Sequence, residues 1–209
     1  MTAAAKDPVL ARSIEALAVP GILVDHRLIQ PGDELALLPV ELAAFAASVI
    51  KVRQASGAAR LAARALLQQL GHVDQAVPKA DTGAPIWPEG IVGSLAHDAR
   101  VAVAAIARRR DVRSLGIDVE PAQPLDPDLV DLVATAGERR RIADDPYRGR
   151  LLFAVKEAVY KAVHPLDAVF LEHHDVEVDL ASQIATVRGG RSVSFRYAAS
   201  THIVVVAFV

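Results

Sequence analysis

An uninterrupted apolar run from Val101 to Ala107 limits what this chain can fold into more than any other stretch. Such a run is typical of a strand that is buried inside a sheet. The polar residues 108–111, three arginines and an aspartate, then predict a solvated turn, and Val112 to Glu120 predicts a second strand. The two strands are therefore expected to form a β-hairpin.

Helices and further strands are predicted on both sides of this hairpin. Periodicity and turn residues place helices over 9–18, 39–48, 52–70, 129–142 and 151–164, a loop over 78–93, and strands over 22–29, 176–180, 184–188, 193–197 and 203–209. Gly189-Gly190 predicts a hairpin between two of the last strands. We therefore expect an α+β fold with two pseudo-symmetric subdomains, 1–111 and 112–209. Each would hold an antiparallel sheet and a packed long helix, with the active site between the two.

The composition excludes several classes of protein. Apolar residues make up 52% of the chain but aromatic residues only 4%, so Ala, Val and Leu must fill the core. The absence of cysteine excludes disulfides, thiolate catalysis and cysteine zinc sites. A formal net charge of −2 argues against a nucleic-acid-binding protein. The N-terminus lacks the apolar core of a signal peptide, and no run approaches the roughly 18 apolar residues of a membrane span. These observations predict a cytoplasmic protein that binds neither nucleic acid nor membranes.

The predicted helix over 151–164 has two different faces. Its apolar residues share one arc, and the opposite arc carries Phe153, Lys156, Glu157, Tyr160, Lys161 and His164. Glu157 and Lys161 could simply form an exposed pair at i and i+4, worth about 0.2–0.5 kcal/mol. Alternatively, this polar arc is one wall of a functional site, and the helix alone leaves both interpretations open.

Two carboxylates stand two residues apart at the end of the predicted strand before Pro121. This spacing places Asp118 and Glu120 on the same face, where their like charges repel. A divalent cation such as Mg²⁺ would compensate them, since it takes one or two carboxylates together with substrate phosphates. A solvated sheet edge would also tolerate the pair, so the Asp-x-Glu motif is a weak signal by itself.

Basic side chains and histidines provide weaker signals. Arg53, Arg60 and Arg64 share one face of a predicted helix, which would suit either a phosphate-rich ligand or a solvated basic stripe. His173 and His174 have no third residue at metal-ligand spacing, so we interpret them as surface histidines.

Three stretches in this order resemble the 4'-phosphopantetheinyl transferase superfamily, in particular the larger type that activates siderophore, nonribosomal peptide and polyketide synthetases. They are Pro85-Ile-Trp-Pro88 leading into Gly93-Ser-Leu-Ala-His97, then Gly116-Ile-Asp-Val-Glu120, and finally Phe153-Ala-Val-Lys-Glu-Ala-Val-Tyr-Lys161. Ala96 stands where the family usually has Ser or Thr, and Phe153 replaces the common Trp. The resemblance covers roughly residues 39 to 175.

The resemblance implies an enzyme that transfers the 4'-phosphopantetheine group of coenzyme A to a serine of an apo acyl or peptidyl carrier protein, releasing 3',5'-ADP. It implies that Asp118, Glu120 and Glu157 hold Mg²⁺, or Mn²⁺, beside the pyrophosphate. Glu157 could instead, or also, accept the serine proton. Lys156 and Lys161 would stabilise the leaving phosphate.

The same resemblance implies how the donor is bound. His97 would contact the pyrophosphate or the 3'-phosphate, and Arg53 and Arg60 would hold the nucleotide end. We also expect a monomer.

Two rival functions are weighed against this one. A non-catalytic protein that binds coenzyme A or a nucleotide would bind without transfer, and Ala96 leaves that alternative open. A magnesium-dependent nuclease would need a lysine two residues after Glu120, where this chain has Ala122, so that alternative is much weaker.

Overall fold

The structure, a computed structural model, describes residues 5–142, 145 and 147–209. Residues 1–4 belong to the N-terminal segment that we expect not to be a signal peptide, and they lie outside the described residues. The helices are α1 (Pro8–Leu17), α2 (Pro39–Leu42), α3 (Ile50–Gln69), α4 (Pro127–Val133), α5 (Ala136–Ile142) and α6 (Arg148–Asp167). The strands are β1 (Ile22–Leu28), β2 (Ile91–His97), β3 (Val101–Arg108), β4 (Leu115–Pro121), β5 (Val176–Asp179), β6 (Ile184–Val187), β7 (Ser192–Ala199) and β8 (His202–Phe208).

The strands form two antiparallel sheets, which confirms the predicted α+β class. The first has the order β1-β3-β2, and the second has the order β4-β8-β7-β6-β5. The hairpin predicted at Gly189-Gly190 is confirmed, because β6 and β7 pair on either side of it. The hairpin predicted between β3 and β4 is wrong. Both edges of β3 are already occupied by β1 and β2, so β4 starts the second sheet and pairs with β8 instead.

One apolar core lies between the two sheets and joins the halves of the molecule. It takes side chains from one face of β3, such as Val103, and from one face of β4, such as Ile117. Helix α1 closes it with Leu10, Ile14 and Leu17. The predicted division between residues 111 and 112 falls in the connection from β3 to β4 and stays a prediction.

Each sheet carries one long helix on its other face. Alanines 58, 59, 62 and 63 of α3 are buried, and their small side chains let this helix lie close to β3. Helix α6 packs on β4 and β8 in the same way. Among the helices of the described chain, none is both long and apolar enough to cross a bilayer.

The closest approach between helix and sheet is at Gly116 of β4. A Cβ atom placed on this glycine would lie 2.0 Å from the carbonyl oxygen of Ala158 and 2.7 Å from the backbone nitrogen of Ala162. Since side chains alternate along a strand, Asp118 and Glu120 share the face of Gly116. Both carboxylates of β4 are therefore directed to the side of the sheet on which α6 lies.

We expect Gly116→Ala to lower the free energy of unfolding by about 2 kcal/mol or more, because backbone atoms cannot yield as a side chain can. Gly137→Ala is the matched control. Its added Cβ would meet the flexible Glu177 side chain at 3.3 Å, and alanine favours the helix by about 0.5–1 kcal/mol. Urea titration of both variants measures the difference. Equal stabilities would show that α6 can move away from β4 at little cost.

Candidate active site

Asp118 is the most buried carboxylate of the predicted site, with 6% of its surface exposed. Its Oδ1 accepts a hydrogen bond of 2.7 Å from Nζ of Lys161, which also donates to the carbonyl of Ile117. Its Oδ2 is buried and has no partner within the described residues. Burial raises the pKa of Asp118 to about 6, although Lys161 works to lower it.

Glu120 lies two residues after Asp118 on β4 and is half-buried. Its Oε2 accepts a hydrogen bond of 2.8 Å from Arg150 at the start of α6. Burial raises the pKa of Glu120 despite this guanidinium. Arg150 was not predicted as a site residue. It precedes Glu157 and Lys161 by seven and eleven residues, and this spacing on one helix face could have identified it.

Glu157 lies on the same face of α6, and its partner is His173. The distance from Oε1 of Glu157 to Nε2 of His173 is 3.1 Å, and this hydrogen bond holds the pKa of Glu157 below its ordinary value. The interpretation of His173 as a surface histidine therefore needs correction, because it contacts a predicted catalytic residue. No periodic signal could have found it, since it lies in the segment that follows α6.

The three carboxylates are close enough to influence one another. The charges of Glu120 and Glu157 both raise the pKa of Asp118. Within residues 5–142, 145 and 147–209, however, no three His, Asp or Glu side chains converge as a complete metal cage. Each carboxylate makes its side-chain hydrogen bond through one oxygen only, so the orphaned Oδ2 of Asp118 and its two acidic neighbours fit a cation that keeps part of its water shell.

His97 ends β2 and is exposed, with its Nδ1 3.3 Å from the carbonyl oxygen of Asp98. The next residue, Asp98, contacts His202, which is opposite Pro121, one residue beyond Glu120. The structure thus places the turn that follows His97 near the end of β4, on the opposite half of the molecule from α6.

Lys156 belongs to the predicted polar arc of the helix, but the structure buries it. The side chain is only 1% exposed. Its ammonium donates to Glu138 at 2.7 Å and to the backbone carbonyls of Val133 and His173 at 2.8 and 2.9 Å. All three N–H donors are used inside the protein, so Lys156 holds α6 to its surroundings and is not available to a leaving phosphate.

The two predicted arginines lie on α3. Arg60 is 4% exposed and donates to the backbone carbonyls of Val77 and Ser56, with its guanidinium 4.9 Å from the ring centre of Phe45. This gives Arg60 a structural role, and its contact with a nucleotide stays a prediction. Arg53 is half-buried, and its Nε has no partner in the described part of the chain.

Two cavities flank the site. The first, of about 570 Å³, is lined among others by Glu157, Tyr160, Phe170, Leu171 and His173. The second, of about 700 Å³, lies between β2 and α6 and is lined among others by Trp87, Ser94, Lys161 and His164. The first has an aromatic wall, because the rings of Tyr160 and Phe170 meet edge-on at 5.9 Å.

Comparison with known proteins identifies the family and several relatives of this chain. Residues 40–107 match the 4'-phosphopantetheinyl transferase N-terminal domain, and residues 114–206 match the 4'-phosphopantetheinyl transferase superfamily. The chain is 34% identical to 4'-phosphopantetheinyl transferase Svp of Streptomyces mobaraensis over 93% of this chain and 87% of Svp. It is 39% identical to 4'-phosphopantetheinyl transferase PptT of Mycobacterium tuberculosis over 75% and 70% of the two chains. A shorter match, 35% identical over 50% and 45%, is to enterobactin synthase component D of Salmonella typhimurium.

The buried pair of Lys156 and Glu138 predicts a stability effect. We expect Lys156→Met to cost about 3–5 kcal/mol, since it leaves Glu138 charged and buried. The double variant Lys156→Met/Glu138→Gln should cost clearly less, because no buried charge remains. Urea unfolding compares them, and a double variant as unstable as the single one would contradict this explanation.

The pKa of Asp118 predicts a pH dependence of stability. Its folded value of about 6 lies above the unfolded value of about 3.9, so the folded state binds more protons between these pH values. Stability from this group is therefore present at low pH and is lost as the pH rises through about 4 to 6, by about 2–3 kcal/mol in all. Urea unfolding with a chelator present should show this loss in the wild type. Asp118→Asn should lack it, and parallel pH profiles would contradict the assignment.

Proposed function

Because the chain belongs to the 4'-phosphopantetheinyl transferase superfamily, we propose that it transfers the phosphopantetheine group of coenzyme A to a serine of an apo carrier protein. The observation that carries this proposal is that the β4 carboxylates and the polar face of α6 lie together, with Lys161 bonded to Asp118. Transfer forms a bond from the serine oxygen to the β-phosphorus and breaks the bond to 3',5'-ADP.

Glu157 is the residue best suited to take the serine proton. Its pKa is held below the ordinary value, so it is ionised at neutral pH, and one of its oxygens makes no hydrogen bond within the described residues. A base must lie within reach of the proton that it accepts, and Glu157 lines the first cavity beside the carboxylates. His173 holds the other oxygen and so fixes the orientation of the carboxylate.

Lys161 is placed to stabilise the charge that develops on the leaving phosphate. Its side chain is 28% exposed and lines the second cavity, while its ammonium is bonded to Asp118. A preorganised cation at this position requires no rearrangement as the bond to 3',5'-ADP breaks.

A divalent cation, Mg²⁺ or Mn²⁺, would be held by Asp118, Glu120 and Glu157. When bound, it would neutralise charge on the pyrophosphate. This assignment is supported by the burial of Asp118, whose Oδ2 has no partner within the described residues, and by the charges of Glu120 and Glu157, which add to the effect of burial in raising its pKa.

The donor is proposed to extend across the site. His97 and Arg53 would contact its phosphates, and the cavity of about 570 Å³ with its aromatic wall offers room for the pantetheine arm. Carrier proteins of siderophore or peptide synthetases are the proposed acceptors, a proposal supported by the similarity to enterobactin synthase component D.

The deciding experiment incubates the protein with coenzyme A, Mg²⁺ and a panel of apo carrier proteins and measures each carrier by intact mass. We expect at least one carrier to gain the mass of phosphopantetheine, with release of 3',5'-ADP. Binding of coenzyme A without any mass gain would contradict the proposal and favour the non-catalytic alternative.

Glu157→Gln should lower the transfer rate by about 10² or more while the fold survives, because the carboxylate base is lost. Glu15→Gln on the exposed side of α1 is the matched control and should keep the wild-type rate. The measurement is single-turnover transfer at saturating coenzyme A, with circular dichroism to check folding. A near-normal rate would remove Glu157 from the mechanism.

A further inference from the structure

The turn that carries His97 is tied to the opposite sheet by an ion pair. Oδ2 of Asp98, the residue after His97, lies 3.0 Å from Nε2 of His202, the first residue of β8. The two side chains are 13% and 5% exposed, so water screens the pair little. The pair therefore links the first sheet to the second next to a predicted donor-binding residue.

Asp98 also determines the shape of this turn. Its Oδ1 accepts hydrogen bonds from the backbone N–H groups of Arg100 at 2.6 Å and Val101 at 2.7 Å. The backbone N–H of Asp98 donates to the carbonyl of Val101 at 2.9 Å. Oδ1 of Asp98 thus binds the backbone of the turn, and Oδ2 faces His202. The position of His202 is therefore coupled through Asp98 to the backbone that positions His97.

His202 also contacts residues other than Asp98. Its Nδ1 lies 3.1 Å from the hydroxyl oxygen of Thr201, and that hydroxyl donates to Oδ2 of Asp7 at 3.0 Å. A hydroxyl has one proton to donate, so Nδ1 of His202 must itself donate to Thr201. Nε2 faces the carboxylate of Asp98, so each ring nitrogen of His202 lies against an oxygen acceptor.

The location of the pair relates it to the carboxylates of β4. His202 is opposite Pro121 in the sheet, one residue beyond Glu120. Asp98 contacts His202 at 3.0 Å, so its carboxylate lies close to the end of β4 at which Glu120 stands. The pair thus spans the short distance between the turn of His97 and the strand of Asp118 and Glu120.

A buried ion pair is weak evidence for stability, since its desolvation costs about as much as the attraction provides. It does, however, require one definite geometry. We propose that Asp98 and His202 are positioning residues that hold His97 at the distance from the β4 carboxylates that the phosphates of the donor require. This inference rests on the proposed function, in which His97 contacts those phosphates.

The kinetic test uses His202→Gln, which removes the imidazole ring but leaves the hydrogen bonds of Asp98 to its turn. The KM for coenzyme A should rise by about five- to twentyfold, while kcat and the KM for the carrier change by less than about threefold. In a His97→Ala background, His202→Gln should change the KM for coenzyme A by less than about twofold, because the contact between His97 and the donor is already absent. If the increases in KM of His97→Ala and His202→Gln multiply fully in the double variant, the proposal is overturned.

Asp98→Asn is the second variant, since asparagine can still accept the backbone hydrogen bonds of the turn, and it should repeat the KM effect. Asp167→Asn is the control. It breaks a more exposed pair with Arg191 that lies wholly within the second half, and it should leave the KM for coenzyme A unchanged. A rise in KM in this control equal to that in His202→Gln would also overturn the proposal.

Hydrogen exchange of the ligand-free protein separates this inference from the proposed function. In His202→Gln the amides of residues 97–101 should exchange at least about tenfold faster, while those of β5 and β6 keep the wild-type rate. Unchanged exchange at 97–101 would show that the pair does not hold the turn. A wild type that transfers nothing would contradict the proposed function, and the exchange result would still decide whether the pair holds the turn.

Discussion

The close packing of α6 on β4 across Gly116 is the contact on which the site depends. Without a side chain at this position, the helix backbone comes near enough for Lys161 to bond Asp118. The same approach brings Arg150 to Glu120 at the other end of the contact. A larger residue at position 116 would separate the helix from the strand and so separate the residues that act together.

Charge compensation explains how acidic residues can lie in this packed interface. Asp118, Glu120 and Glu157 are each paired with a basic side chain from α6 or from the segment that follows it. Each pairing uses one carboxylate oxygen and leaves the other without a side-chain hydrogen bond within the described residues. Burial raises the pKa of both Asp118 and Glu120, so their basic partners compensate these charges only in part.

Periodicity predicted most of the elements and one side of the site. The alternation along β4 placed Asp118 and Glu120 together, and the helical repeat placed Glu157 and Lys161 together, because these patterns follow from backbone geometry alone. Periodicity failed for Lys156, which lies beside Glu157 in the chain. Its long side chain reaches Glu138 and two carbonyls, and no local pattern reveals partners so distant in sequence.

The sequence by itself determined the two long helices, the apolar strand β3, the faces of β4 and α6, and the motifs that identify the family. Apart from the β6–β7 hairpin at Gly189-Gly190, only the tertiary structure decided which strands pair. Since β3 has no free edge, β4 pairs with β8, and this places the β4 carboxylates beside α6. It also decided that His173 contacts Glu157 and that His202 contacts Asp98. Such contacts depend on chain closure over long separations, whereas periodicity reports only neighbours within a turn or a strand.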